Sequence, residues 1–194
     1  MSHANFKSEL HGYLRDARET LAWKLEGLSE YDARRPMTPT GTNLLGLLKH
    51  SATTHARYFG EVFARDGAPT PPWRHGATQP NADFWATADE TRDDVIAGCQ
   101  VAWAFADTTV TELELDAVGH VPWWGGQAVT LHHVLVHVTA DTQRHAGHAD
   151  ILRELIDGSA GLLPHHDNLP SHDADWWAAH RQRVETAALD ASRR

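Results

Sequence analysis

The chain has 194 residues and a formal charge of −9, with acidic and basic side chains interspersed. That length holds one domain with a sizeable core, and the charge balance argues against nucleic acid or an anionic membrane as partner. No apolar run reaches the length of a membrane span, and the charged N-terminus "MSHANFKSELHGYLRD" lacks an apolar signal core, so the expected location is the cytoplasm.

The first predicted helix runs from about Asn5 to Leu28, with Leu10, Leu14, Ala17, Leu21 and Leu25 in register. "SEYDARRPMTPTGT" then reads as a loop. A second helix starts at Thr42 or Asn43, either a plausible N-cap, and continues through "LLGLLKHSATTHARYFGEVFARDG". His55 sits at the centre of its apolar face with Leu44, Leu48, Ser51 and Val62, whereas His50 lies on the edge. Residues 66–87 are proline-rich and aperiodic, a long connection of the kind more often functional than idle.

The third helix is expected over about Ala88–Leu113. Within it Cys99, the single cysteine, shares a face with Val95, Ala102 and Ala106 and reads as a small core residue. The segment "ELDAVGHVPWWGGQAV" reads as a loop, Thr130 as a cap, and residues 131–157 as the fourth helix. After "DGSAGLLPHHDNLP", the segment "DADWWAAHRQRVETAALDAS" reads as a short helical tail. Nothing reads as β-strand. Four amphipathic helices with no other layer to bury them should form a bundle.

The fourth helix raises a question of chemistry. Asp141 and His145, one turn apart, fall within its apolar stripe with Val134, Val138 and Leu152. An unpartnered buried carboxylate is costly, so Asp141 needs a cation, a hydrogen-bond network or a metal. Residues at i and i+4 make a two-point metal platform, and a third ligand could come from His50 or His55; the helix geometry leaves that choice open. Of fifteen histidines, His137 and His148 belong at the rim, with His148 able to orient a ligand. His132, His133, His165, His166, His172 and His180 belong at the surface.

"LEGLSEYDARRPMTPTGTNLLGLLKH", followed about ninety residues later by "TLHHVLVHVTADTQRHAGHADILRELIDG", resembles the DinB-like superfamily. The nearest branch includes the mycothiol-dependent maleylpyruvate isomerases. The resemblance spans most of residues 8–158. It implies an all-α, DinB-like four-helix bundle with a long crossover over residues 1–158 and a divalent metal at one end; the C-terminal helical extension, 159–194, lies outside the resemblance and is expected to pack on the bundle. Its ligand pattern falls on His50, Asp141 and His145, with aspartate where that branch has glutamate, one methylene longer.

Two imidazoles and one carboxylate leave open positions on a metal, as catalytic sites do. The set suits Zn first, and Ni, Fe, Co or Mn. The leading expectation is a metal-dependent thiol S-transferase or isomerase that activates a low-molecular-weight thiol for attack on an electrophilic substrate. Three lysines against fourteen arginines reflect a GC-rich genome; with the resemblance, this makes the thiol mycothiol-like. Arg57, Tyr58, Arg144 and Trp124 are candidates to hold thiol or substrate. The alternatives are a non-catalytic metal- or ligand-binding bundle, as a stress-related homodimer, and a metal-free network pairing Asp141 with Arg57 or His50.

Overall fold

Capping residues mark where the helices begin. Asn43 accepts from Gly46 N, Thr91 from Asp94 N and Thr130 from His133 N, each satisfying an otherwise unpaired first-turn donor. The computed structural model describes residues 3–74, 79–164, 166–167, 169–170 and 173–193. Its helices are α1 (His3–Trp23), α2 (Glu30–Arg34), α3 (Leu44–Ala56), α4 (Arg92–Glu112), α5 (Leu131–Asp157) and α6 (Ala174–Ser192). A π-helical turn, Arg57–Glu61, continues α3. Helix α3 packs on α4 and on α5, and α1 packs on α5. No described helix is long and apolar enough to cross a membrane.

Two local readings need correction. Strands β1 (Val118–Val121) and β2 (Gln127–Thr130) form an antiparallel hairpin where a loop was expected. Each strand has four residues, too short for alternation to stand out, and the reversal uses the left-handed Gly125 and Gly126, at φ 68° and 80°. Helix α2, five residues capped by Ser29, lies in the other supposed loop. The expected helical tail is α6, nineteen residues long, none of them buried.

The core forms two apolar clusters stacked along the helices. One gathers Leu21, Leu48, Cys99, Ala146 and Leu152; the other gathers Leu14, Phe59, Val110, Leu131 and Val138. Between them, at the waist, the same helices carry Arg18, His55, Asp107, Asp141 and His145. Cys99 is buried as expected, donating its thiol to Leu48 O at 3.4 Å, and burial raises its pKa far above the ordinary thiol value. That leaves it without nucleophilic character.

Beyond α5 the chain is clasped to the end of α1. Lys24, with no solvent exposure, puts Nζ 2.5 Å from Gly161 O and 2.6 Å from Asp150 Oδ1. Trp23 Nε1 donates to Leu162 O at 2.6 Å. Arg153 donates to the carbonyls of Lys24 and Glu26 at 2.9 and 2.8 Å, satisfying acceptors that the helix end leaves free.

Candidate metal centre

The waist holds two polar groups of different character. In the first, His55 is fully buried and its Nε2 accepts from Arg18 Nε at 2.9 Å, while Nδ1 donates to Ser51 O at 2.6 Å. Arg18 continues to Asp107 Oδ1 at 2.6 Å, which His11 also meets at 2.6 Å. Burial first, and then the Arg18 charge, push the His55 pKa well below 6.5. At Asp107 burial works upward, but His11 and Arg18 outweigh it and bring the pKa to about 2. Both lone-pair directions of the His55 ring are occupied within the protein, so it is a structural histidine.

The second group is the one expected to hold a metal. His50 on α3 and Asp141 and His145 on α5 converge, with one donor atom from each lying within 4.8 Å of the others. Asp141 Oδ2 is 3.7 Å from His50 Nε2, and Asp141 Oδ1 is 3.5 Å from His145 Nε2. These gaps exceed ordinary hydrogen bonds. Ligand atoms about 2.1 Å from a tetrahedral zinc ion lie about 3.4 Å apart, so the spacing fits a cation shared among the three groups. His145 Nδ1 is buried without a hydrogen-bond partner.

The electrostatics agree with a cation site. At His50 burial pulls downward, but the carboxylates of Asp141 and Asp83 overcome it and raise the pKa from 6.5 to about 8. At Asp141 burial pushes upward, but His145 and His50 outweigh it and hold the carboxyl well below its usual range. Asp141 therefore stays anionic across physiological pH. Among the described residues its ion-pair partners are these two histidines, and Arg57 is not among them.

Two positions differ from expectation. The wheel put Asp141 and His145 inside the apolar stripe, but they are 31% and 13% exposed; Thr142 and Ala146 take the buried positions. This offset of one residue, about 100° around the helix, leaves the cluster partly open to solvent. The cluster also lies at mid-length of α5, not at one end of the helices.

The candidates around it are dispersed. Arg57 lies over the Trp123 ring, 3.7 Å from its centroid, and faces Glu61 at 3.8 Å. Tyr58 is buried against Trp123, Trp124 and His137, with ring centroids 5.0, 5.9 and 5.0 Å away. Arg144 is exposed beside the pair. His148 meets the His145 ring edge-on at 5.5 Å. His132, His133 and His166 are exposed and His180 stacks on Trp176; His165 and His172 lie outside the described residues. A groove of about 860 Å³ beside His11 and another of about 580 Å³ beside Trp73 are not lined by the cluster.

Sequence reasoning missed Asp83 and Phe84. Asp83 Oδ2 is 2.8 Å from His50 Nδ1, and the Phe84 ring stacks on His50 at 4.0 Å. Both sit in the crossover between α3 and α4, where no periodicity signals a partner; the length of that loop was the available clue.

The family model described as mycothiol-S-transferase matches residues 9–158, a span that contains all three clustered residues and ends just after α5. Among solved structures, the conserved protein of a locus from Enterococcus faecalis is similar over 78% of this chain and 97% of its own, at 18% identity and a TM-score of 0.54. That likeness concerns the fold alone. No curated protein matches the chain.

Proposed function

Because the chain belongs to the mycothiol-S-transferase family, we propose that it is a metal-dependent transferase joining the sulfur of a low-molecular-weight thiol, mycothiol or a close analogue, to an electrophilic carbon. The observation that carries this reading is Asp141, held between two imidazoles at 3.7 and 3.5 Å, too far to hydrogen-bond and suited to a shared ion. His50, Asp141 and His145 would hold the metal, with zinc the first choice for this donor set. A divalent ion there would supply Lewis acidity that favours the thiolate form of a bound thiol.

The chain's own residues then have defined tasks. Asp141, anionic at every relevant pH, offsets the ion's charge. The buried Cys99 takes no part, which accords with a thiol supplied from outside. Arg144, exposed one turn from Asp141, is the guanidinium available for a polar head group; Arg57 is occupied by Trp123 and Glu61. Tyr58 and Trp124 brace the adjoining wall. In this reading residues 1–158 form a DinB-like four-helix bundle that carries the activity, and residues 159–194 are an extension.

The test is turnover. Protein loaded in turn with Zn, Ni, Mn and Co is incubated with mycothiol and a chromogenic aryl halide, beside His50→Ala. A thiol adduct whose formation needs both metal and His50 supports the proposal. Stoichiometric metal uptake with no adduct from any thiol supports instead a non-catalytic metal-binding bundle. For that reading the exposed Val136, Ile151 and Leu155 on α5 are apolar side chains available to a homodimer, which light scattering would detect.

A further inference from the structure

The imidazole of His50 has two nitrogens, and a metal ligand must present a lone pair on the one that faces the ion. Which nitrogen is free depends on what the other one meets. Here Nε2 meets the Thr54 hydroxyl, one turn along the same helix, at 3.3 Å and faces Asp141 at 3.7 Å, and Nδ1 meets Asp83 Oδ2 at 2.8 Å. A carboxylate accepts and never donates when ionised, so the Asp83 contact requires a proton on Nδ1. In the neutral ring this leaves Nε2 unprotonated and directed at Asp141 and His145.

We propose that Asp83 is a positioning residue that fixes His50 in the tautomer and orientation whose Nε2 faces the ion site. The inference rests on the metal reading above. Asp83 suits this task because its loop is held firmly. Phe84 stacks on the same imidazole, 4.0 Å away and within 18° of parallel. Asn43 Nδ2 donates to Phe84 O at 3.1 Å, and Lys49 Nζ donates to Trp85 O at 2.8 Å and to Glu90 at 2.7 Å. Gly46 leaves room for that strand of chain, since a Cβ there would collide with Phe84 O. Asn43, Gly46 and Lys49 all lie on the helix that carries His50, within two turns of it. The helix therefore grips the loop, and the loop returns a carboxylate and a ring to its histidine.

The experiment compares wild type, Asp83→Asn, Asp83→Ala and His50→Ala. Cobalt(II) titration, followed by its visible ligand-field bands, reads affinity and coordination. Imidazole ¹⁵N shifts of the metal-free protein, at a pH where the ring is neutral, read the His50 tautomer. The expected result is a cobalt affinity about ten- to a hundred-fold weaker in Asp83→Ala, partial recovery in Asp83→Asn, which keeps an acceptor, and a His50 tautomer mixture in Asp83→Ala alone. Unchanged affinity and tautomer in Asp83→Ala would overturn the role of Asp83 while leaving the metal site standing. A wild type that takes up no cobalt would overturn the metal reading, and this inference with it.

Discussion

His50 and Asp141 face each other across 3.7 Å, a gap that neither a hydrogen bond nor direct packing explains. Two partly buried groups of complementary charge left at that distance are held apart by their helices, α3 and α5. That separation is close to the distance between two donor atoms that share a zinc ion, the arrangement proposed for this pair.

Asp141→Asn keeps the size of the side chain and removes its charge. Its affinity for zinc should fall by more than about a hundredfold, beyond the ten- to hundred-fold lost on changing an outer partner of a ligand, while helicity by circular dichroism stays unchanged. Asp141→Glu lengthens the arm by one methylene and should retain uptake. Competition with a chromogenic chelator measures both. Full affinity in Asp141→Asn would remove Asp141 from the ligand set.

The buried His55 makes stability depend on pH. Its folded pKa lies well below 6.5, so below pH 6.5 the unfolded chain binds a proton that the folded chain refuses. Stability from this group is therefore complete above pH 6.5 and is lost as pH falls, by about 1.4 kcal/mol per unit. His50, raised to about 8, acts in the opposite sense but in another window, between 6.5 and 8. Urea unfolding from pH 6.5 to 5 should show the His55 slope in the metal-free protein. In His55→Gln, which keeps an acceptor for Arg18, the slope should flatten by about that amount. Equal slopes would mean that His55 is not held neutral.

The long helices and the i, i+4 pair were legible because 3.6-residue periodicity and spacing are properties of sequence. Periodicity alone did not choose between His50 and His55; the family resemblance pointed to His50. Both lie on α3, and the partners brought by other helices distinguish them: Asp141 and His145 for His50, Arg18 and Asp107 for His55. Asp83 was invisible for a related reason, since a loop residue acquires meaning from where the chain folds it. The hairpin escaped because its strands have four residues each and the connection between them, which holds Gly125 and Gly126, reads as a loop.

Gly46 tests whether the crossover loop matters to the site without altering any polar group. Gly46→Ala pushes a methyl group into Phe84 O, so either the loop or α3 must shift. Overpacking of this kind costs about 1–3 kcal/mol. Cobalt affinity should also fall, because Asp83 moves with Phe84. Thermal melts and the same titration read the two effects. A destabilised variant with wild-type affinity would separate the loop's packing from His50.

The clasp at the end of α1 predicts where the chain can be shortened. Lys24 Nζ and Trp23 Nε1 are donors with acceptors at Gly161 and Leu162, at 2.5 and 2.6 Å. Truncation after Gly158 removes both acceptors and leaves an ammonium with no exposure of its own relying on Asp150. A buried donor deprived of its acceptor costs about 1–3 kcal/mol, so this truncation should lose roughly 2–4 kcal/mol in urea unfolding. Truncation after Pro170 keeps the clasp and removes α6, which buries no residue of its own; surface changes of that kind stay within about 0.5 kcal/mol. If the longer fragment proved as unstable as the shorter, α6 would be contributing to the fold. Equal stability of the Gly158 fragment and the full chain would show that Lys24 and Trp23 need no partner beyond α5.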